Sequence, residues 1–424
     1  MKTFVIAVSM VGLVAPAGAA VASPLAAGTT ARHVAIARWS TNAAWDRGRA
    51  DGVRVHAGSL TLRRSIGTRV YRDPFAGHAP RRYDAARWTS PWVRPGFGLS
   101  QLIASWDATT PAGTWIEVVT RGRLADGRRS SWDVMGRWSS DDRRFHRTSA
   151  GAQADDFSSV DVDTAVLHGH LRYTSWQLQI RLLRESGSRR TPTVMSVGAM
   201  ASALPPGKTV PTSPTTMRRT RDLAVQRFSQ MIHRGQYPRW NGGGEAWCSP
   251  TSMAMVLAYW RAGPTRREDS WVNPAYRQPW VDYAARHTYD YGYQGAGNWP
   301  FTAAYAGERG LDAFVTRLRS LAEAERFIRA GIPLVASIAF DRGGLHGAPI
   351  SSTPGHLLVI RGFTAGGNVI VNDPAAAHAP GVRRVYDRRQ FENAWVGRSG
   401  GVVYVVHPAG VRLPPSPRPG ERNW

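Results

Sequence analysis

Apolar and polar residues alternate with a period of two in four runs between residues 114 and 201: "TWIEVVTRGRL", "SSWDVMGRW", "TSWQLQIRLLR" and "TPTVMSVGAMA". Turn residues such as "ADGRR" and "ESGSRR" separate them. Successive side chains of a strand point to opposite faces, so this alternation, carried by aromatic and β-branched residues, predicts an antiparallel β-sandwich or jelly roll over 30–203. The next stretch, "LPPGKTVPTSPTT", is rich in Pro, Thr and Ser, has no apolar period and reads as a linker over 204–217.

Beyond it the period changes. "RDLAVQRFSQMIHR" places Leu223, Phe228, Met231 and Ile232 on a helical stripe that Gly235 ends. "SMAMVLAYW" puts Met253, Val256, Leu257 and Trp260 on one helical face, and "SLAEAERFIRAG" turns Leu321, Ala324, Phe327 and Ile328 inward with Gly331 as its cap. Strands are then predicted at 333–340, 356–363, 368–374 and 401–408. Helices followed by a run of sheet imply an α+β domain over 218–408, not a doubly wound one. The two units are expected to fold independently, and the Pro-rich tail, 409–424, lacks a buryable face and is expected to be disordered.

The first residues change the picture of where this 424-residue chain works. Lys2, the run "FVIAVSMVGLVA" and small residues at "AGA" and "AVA" predict a cleaved signal peptide over 1–22, hence a secreted or cell-envelope protein with no transmembrane anchor. Lys and Arg outnumber Asp and Glu 54 to 30, a formal charge of +24 that would draw the chain to anionic envelope polymers. Lys2 and Lys208 are the only lysines and the arginines are scattered, which argues against dedicated nucleic-acid binding. No HExxH, Walker A loop or CxxC pair is present, so metal hydrolysis, nucleotide hydrolysis and dithiol chemistry lack support, and neither cofactor nor metal is expected. His168 and His170 read as exposed sheet histidines; Asp155, Asp156, Asp161 and Asp163 read as solvated turn carboxylates. A monomer is expected.

Cys248 is the single cysteine, and an exported chain normally uses cysteines in pairs. Pro250 fits the first turn of a helix, which puts Cys248 at the helix start, where unpaired N–H groups and the dipole favour a thiolate. The same N–H groups can hold an oxyanion on a carbonyl attacked by that sulfur. His356, opening the strand "HLLVIRGF", is the best-placed base, and Asp373, closing "NVIVNDP", would fix its tautomer.

"WCSPTSMAMVL", "GHLLVIRGF" and "VNDPA", in that order and spacing, resemble the C39-like cysteine peptidases of the papain-like superfamily, in the exported form found in actinobacteria. "GNWPF" fits the same group, and the similarity covers residues 218–408, about half the chain. The resemblance implies a papain-like domain and cleavage of peptide or isopeptide bonds in a peptide or protein substrate through a thioester. It implies Cys248 as nucleophile, His356 as general base and Asp373 as its orienter. The family often carries a glutamine six residues before the cysteine; Gly242 stands there, leaving Gln230, Gln236 or Asn241 to replace it. The competing readings are a cell-wall amidase or endopeptidase of the NlpC/P60 type and a non-catalytic envelope or glycan-binding protein.

Overall fold

A computed structural model describes residues 31–77 and 79–424. The expected signal peptide, 1–22, lies outside the described residues. The alternating runs form strands as expected, Thr114–Arg123, Asp133–Trp138, Ser175–Glu185 and Thr193–Ala203 among them. They belong to two antiparallel sheets, one of seven strands and one of six. Inward residues of both, such as Trp106, Val118, Leu178 and Met200, lie in one buried cluster, so the sheets pack face to face as a sandwich.

The second half packs helices Cys248–Tyr259, Pro279–Thr288, Trp299–Glu308 and Leu321–Arg329 with a third, seven-stranded antiparallel sheet. Its strands include Leu334–Phe340, Thr353–Phe363, Val369–Asn372 and Val402–His407, close to the predicted positions. Among the described residues no helix is long and apolar enough to cross a membrane.

Several expectations are corrected. The predicted helix over "RDLAVQRFSQMIHR" does not form. Arg221–Asp222 instead pairs at the sheet edge with Gly362 and Phe363, and Asp222 is tied to Arg361 and Arg383, so the backbone is spent on the sheet. Only Gln230–His233 is helical, a 3₁₀ turn capped by Ser229. The helix Cys248–Tyr259 is buried on all sides from Ser249 to Leu257, not along one stripe. His168 and His170 sit on an exposed turn, while Asp163 is buried and accepts from Trp299 N–H at 2.8 Å.

Neither connecting segment hangs free. Val210 and Ser213 donate backbone N–H groups to Asn393 and Glu392, and Thr215 and Thr216 bond Glu325. The C-terminal tail, expected to be disordered, is docked: Asn423 is buried and donates to Arg317 O at 2.8 Å, and Arg422 O accepts from Ile36 N–H. Its proline-rich sequence has no apolar period, but its backbone and amide groups find partners in both halves.

The halves also share a core. Phe301 sits 6.1 Å from Trp106 and 5.3 Å from Trp138, ring centroid to ring centroid. Arg147 of the sandwich donates to the carbonyls of Arg286 and Tyr289 across the junction. Gly307 lets its helix close on the sandwich, since a Cβ there would lie 2.5 Å from Asp107 Oδ1.

Candidate active site

Three turns of sequence meet at Cys248. Gly242 and Gly243 adopt φ of 76° and 104°, which only glycine tolerates readily, and a Cβ on Gly244 would lie 2.2 Å from Gln230 O. The glycine run is therefore a tight packed turn. Trp247 then anchors the helix start: it is fully buried and its indole donates to Trp240 O at 2.6 Å. No side chain caps the helix beginning at Cys248, so its first N–H groups stay available. Ser252 Oγ donates to Leu357 O at 3.1 Å, which ties this helix to the strand carrying His356.

Cys248 is half-buried and lies close enough to the His356 ring for the imidazole to lower its thiol. On the other side, His356 Nε2 lies 2.8 Å from Asp373 Oδ1. With Nε2 committed to the carboxylate, Nδ1 is the nitrogen left for sulfur. Asp373 Oδ1 also accepts Ala375 N–H at 3.1 Å, and Oδ2 accepts the Tyr386 hydroxyl at 2.7 Å. Asn372, one residue earlier, holds the loop by donating to Gln226 O at 2.6 Å and accepting from Arg361.

The electrostatics follow from burial and these partners. Burial alone would push the thiol of Cys248 up, but the bond and charge of His356, helped by the N–H groups of Leu357 and Ser249, outweigh it and hold the thiol below its ordinary value. Burial likewise opposes the charged imidazole, yet Asp373 and then Cys248 push His356 up to about 10. Burial raises Asp373, and the charge and bond of His356 with the Tyr386 hydroxyl more than reverse that. Both shifts favour the thiolate–imidazolium form of the pair over the neutral thiol and imidazole.

Of the three candidates to replace the missing glutamine, Gln236 pairs with the buried His233. Gln230 is buried between the loop before Cys248 and the loop after Asp373: its N–H donates to Pro374 O at 2.9 Å and its Nε2 to Glu245 O at 2.8 Å. That leaves one amide hydrogen free. The sandwich braces the loop 290–298. Asp290 accepts the Ser149 N–H at 3.0 Å along with those of Gly292 and Tyr293, and Asn298, bonded to Asp290 Oδ2, caps the helix Trp299–Glu308. Tyr293 on this loop is 48% exposed and feels the charges of Asp163 and Cys248, which add to burial in raising its phenol.

Sequence reasoning missed Tyr386 and the loop carrying Tyr293. Tyr386 contacts Asp373 from a neighbouring strand and lies in no motif; a buried tyrosine hydroxyl needing a partner was the only signal. Among the described residues no cluster of His, Cys, Asp or Glu could hold a metal ion.

Comparison with known proteins divides the chain along the same line as its sheets. Residues 35–202 match the family model of the Peptidase C39 N-terminal domain, and residues 222–403 match that of the Peptidase_C39 like family. No curated protein matches the chain.

Proposed function

The chain belongs to the C39-like peptidases of actinobacterial type, and from that premise we propose that it is an exported cysteine peptidase cleaving peptide or isopeptide bonds through a thioester, on a papain-like arrangement of helices and sheet. The observation that carries this reading is the single imidazole held between Cys248 and Asp373. The thiolate of Cys248 attacks the substrate carbonyl carbon, and the oxyanion that forms takes N–H donors from the helix start and the free amide hydrogen of Gln230. His356, as imidazolium, gives its proton to the leaving amine, and the C–N bond breaks to leave a thioester on Cys248. Water then adds to the thioester while His356 takes its proton back, and the acid product leaves with the thiolate restored. Asp373 keeps the ring oriented and its positive charge stabilised; Tyr386 keeps Asp373 oriented.

The domain limits proposed for this activity are 30–203 for the sandwich and 218–408 for the peptidase. The test is incubation of the full chain with a peptide library and a peptide-based acylating probe. Cleaved peptides together with a mass adduct confined to Cys248 are expected. Cleavage that persists undiminished in Cys248→Ala would overturn the reading.

A further inference from the structure

The sandwich carries an open groove of about 460 Å³ that the peptidase chemistry does not use. It lies on the sheet face opposite the core, since its lining residues Arg87, Gln177 and Gln179 alternate with the buried Trp88, Leu178 and Ile180. Arg47, Arg121 and Trp132 complete its character, and Asp51 is the sole carboxylate in its lining. Asp51 already serves two guanidiniums, Arg49 at 3.1 Å and Arg87 at 2.9 Å.

Arg121 is held by a neutral partner. Gln177 Oε1 accepts its Nε at 3.0 Å and its Nη2 at 2.7 Å, and the amide is itself fixed by donating to Ser90 O. Further along the same face, Glu117 takes Arg69, Arg137 and Arg181 together and neutralises much of their charge. A guanidinium positioned by an amide keeps its full charge for an external anion. Arg121 also lies over Trp132 at 4.3 Å and Trp92 at 5.3 Å, and Arg123 covers Trp92 at 4.4 Å. Arg123 Nε is buried with no hydrogen-bond partner. Arg121 and Arg123 thus lie on two indoles, Arg47 lines the groove with Arg121 and Trp132, and among the described residues none of the three pairs with a carboxylate.

We propose that this groove binds an acidic polysaccharide, a chain of sugar rings bearing carboxylates. Unneutralised arginine forks match the two oxygens of a carboxylate, and the fixed amides and Thr89 hydroxyl in the lining suit sugar hydroxyls. The open shape suits a polymer passing through in place of an enclosed small molecule. The indoles already carry guanidiniums, so they offer poor platforms for stacked bases, which argues against single-stranded nucleic acid. The groove would then hold the enzyme on a polymer while the other half acts, although the proposal does not depend on that activity.

The test is titration calorimetry of the full chain with polygalacturonate, and in separate arms with neutral dextran, polyphosphate and an oligothymidylate. Polygalacturonate is expected to bind at least about tenfold more tightly than the other three, and Arg47→Glu and Arg121→Gln each to weaken it by about tenfold. Arg47 is exposed and forms no ion pair among the described residues, so that variant tests the site even where Arg121→Gln fails to fold. Arg266→Glu, an exposed reversal in the other half, is the matched control and should leave binding unchanged. Tighter binding of dextran, polyphosphate or oligothymidylate would overturn the proposal. So would equal weakening by Arg47→Glu and Arg266→Glu, which would mark adsorption by overall charge.

Discussion

Tyr386 and His356 hold the same carboxylate from opposite sides: the Tyr386 hydroxyl donates to Asp373 Oδ2 at 2.7 Å, and His356 Nε2 meets Oδ1 at 2.8 Å. Removing the hydroxyl should loosen Asp373 without touching the nucleophile. Tyr386→Phe is expected to cost roughly 1.5–3 kcal/mol of stability, the range for a hydrogen bond to a charged group. Urea unfolding measures it. Because Asp373 is held low in the folded state, its contribution is present above the unfolded carboxyl value and is lost as pH falls. The variant should therefore lose less stability than the parent on acidification below about pH 4.

A lowered thiol beside a raised imidazole sets the pH dependence. Alkylation of Cys248 by iodoacetamide should rise with a midpoint below the ordinary thiol value of about 8.5. Peptide cleavage should decline as pH rises through about 10, where His356 loses the proton it donates to the leaving amine. The stability sign agrees: a raised imidazole contributes fully below its unfolded value of about 6.5, and that contribution fades as pH rises through about 10. A thermal-midpoint series in Asp373→Asn should lack this alkaline loss.

Gln230 separates oxyanion stabilisation from thiol activation. Gln230→Ala should lower kcat by about 10²–10³-fold, as loss of one oxyanion donor does, while alkylation of Cys248, which forms no oxyanion, stays near the parent rate. Equal losses in both assays would mean that Gln230 acts by holding the loop.

The residues that meet at this site were legible because Pro250 marks the helix start at Cys248 and apolar runs begin after His356 and end before Asp373, although the strand carrying His356 starts earlier, at Thr353. Their approach to one another was not, since it depends on register, with His356 opposite Ile338 and Asn372 opposite Val359. The stretch before the glycine turn misled because a helical spacing of Leu223, Phe228 and Met231 gave no hint that Asp222 pairs with Arg361 at a sheet edge. The tail misled for a related reason. Its partners, Arg317 and Ile36, lie far away in sequence, and composition alone cannot anticipate them.

The shared core predicts that the halves unfold together. Phe301→Ala removes a ring packed on two sandwich tryptophans and should cost roughly 3–5 kcal/mol, while calorimetry of the parent should give one transition. Two transitions, with only one moved by the substitution, would restore independent folding.

Buried carboxyls at that junction give it a pH sign opposite to that of Asp373. Burial raises Asp107 to about 8, Asp163 to about 7 and Glu308 to about 7. Each keeps its proton longer when folded than when unfolded, so each withdraws stability as pH rises from the unfolded carboxyl range toward these values. Asp163→Asn should flatten that fall while keeping an acceptor for Trp299 N–H. Thermal midpoints between mildly acidic and neutral pH decide it; a slope as steep as the parent's would count against Asp163 as a source.

The central claim is that Cys248 and His356 act as one unit. The rate at which a peptide thioester acylates Cys248, followed by intact mass, tests it most directly. His356→Ala should slow acylation by about 10²–10⁴-fold, the worth of a general acid–base group. A rate within about twofold of the parent, far short of that range, would contradict the account.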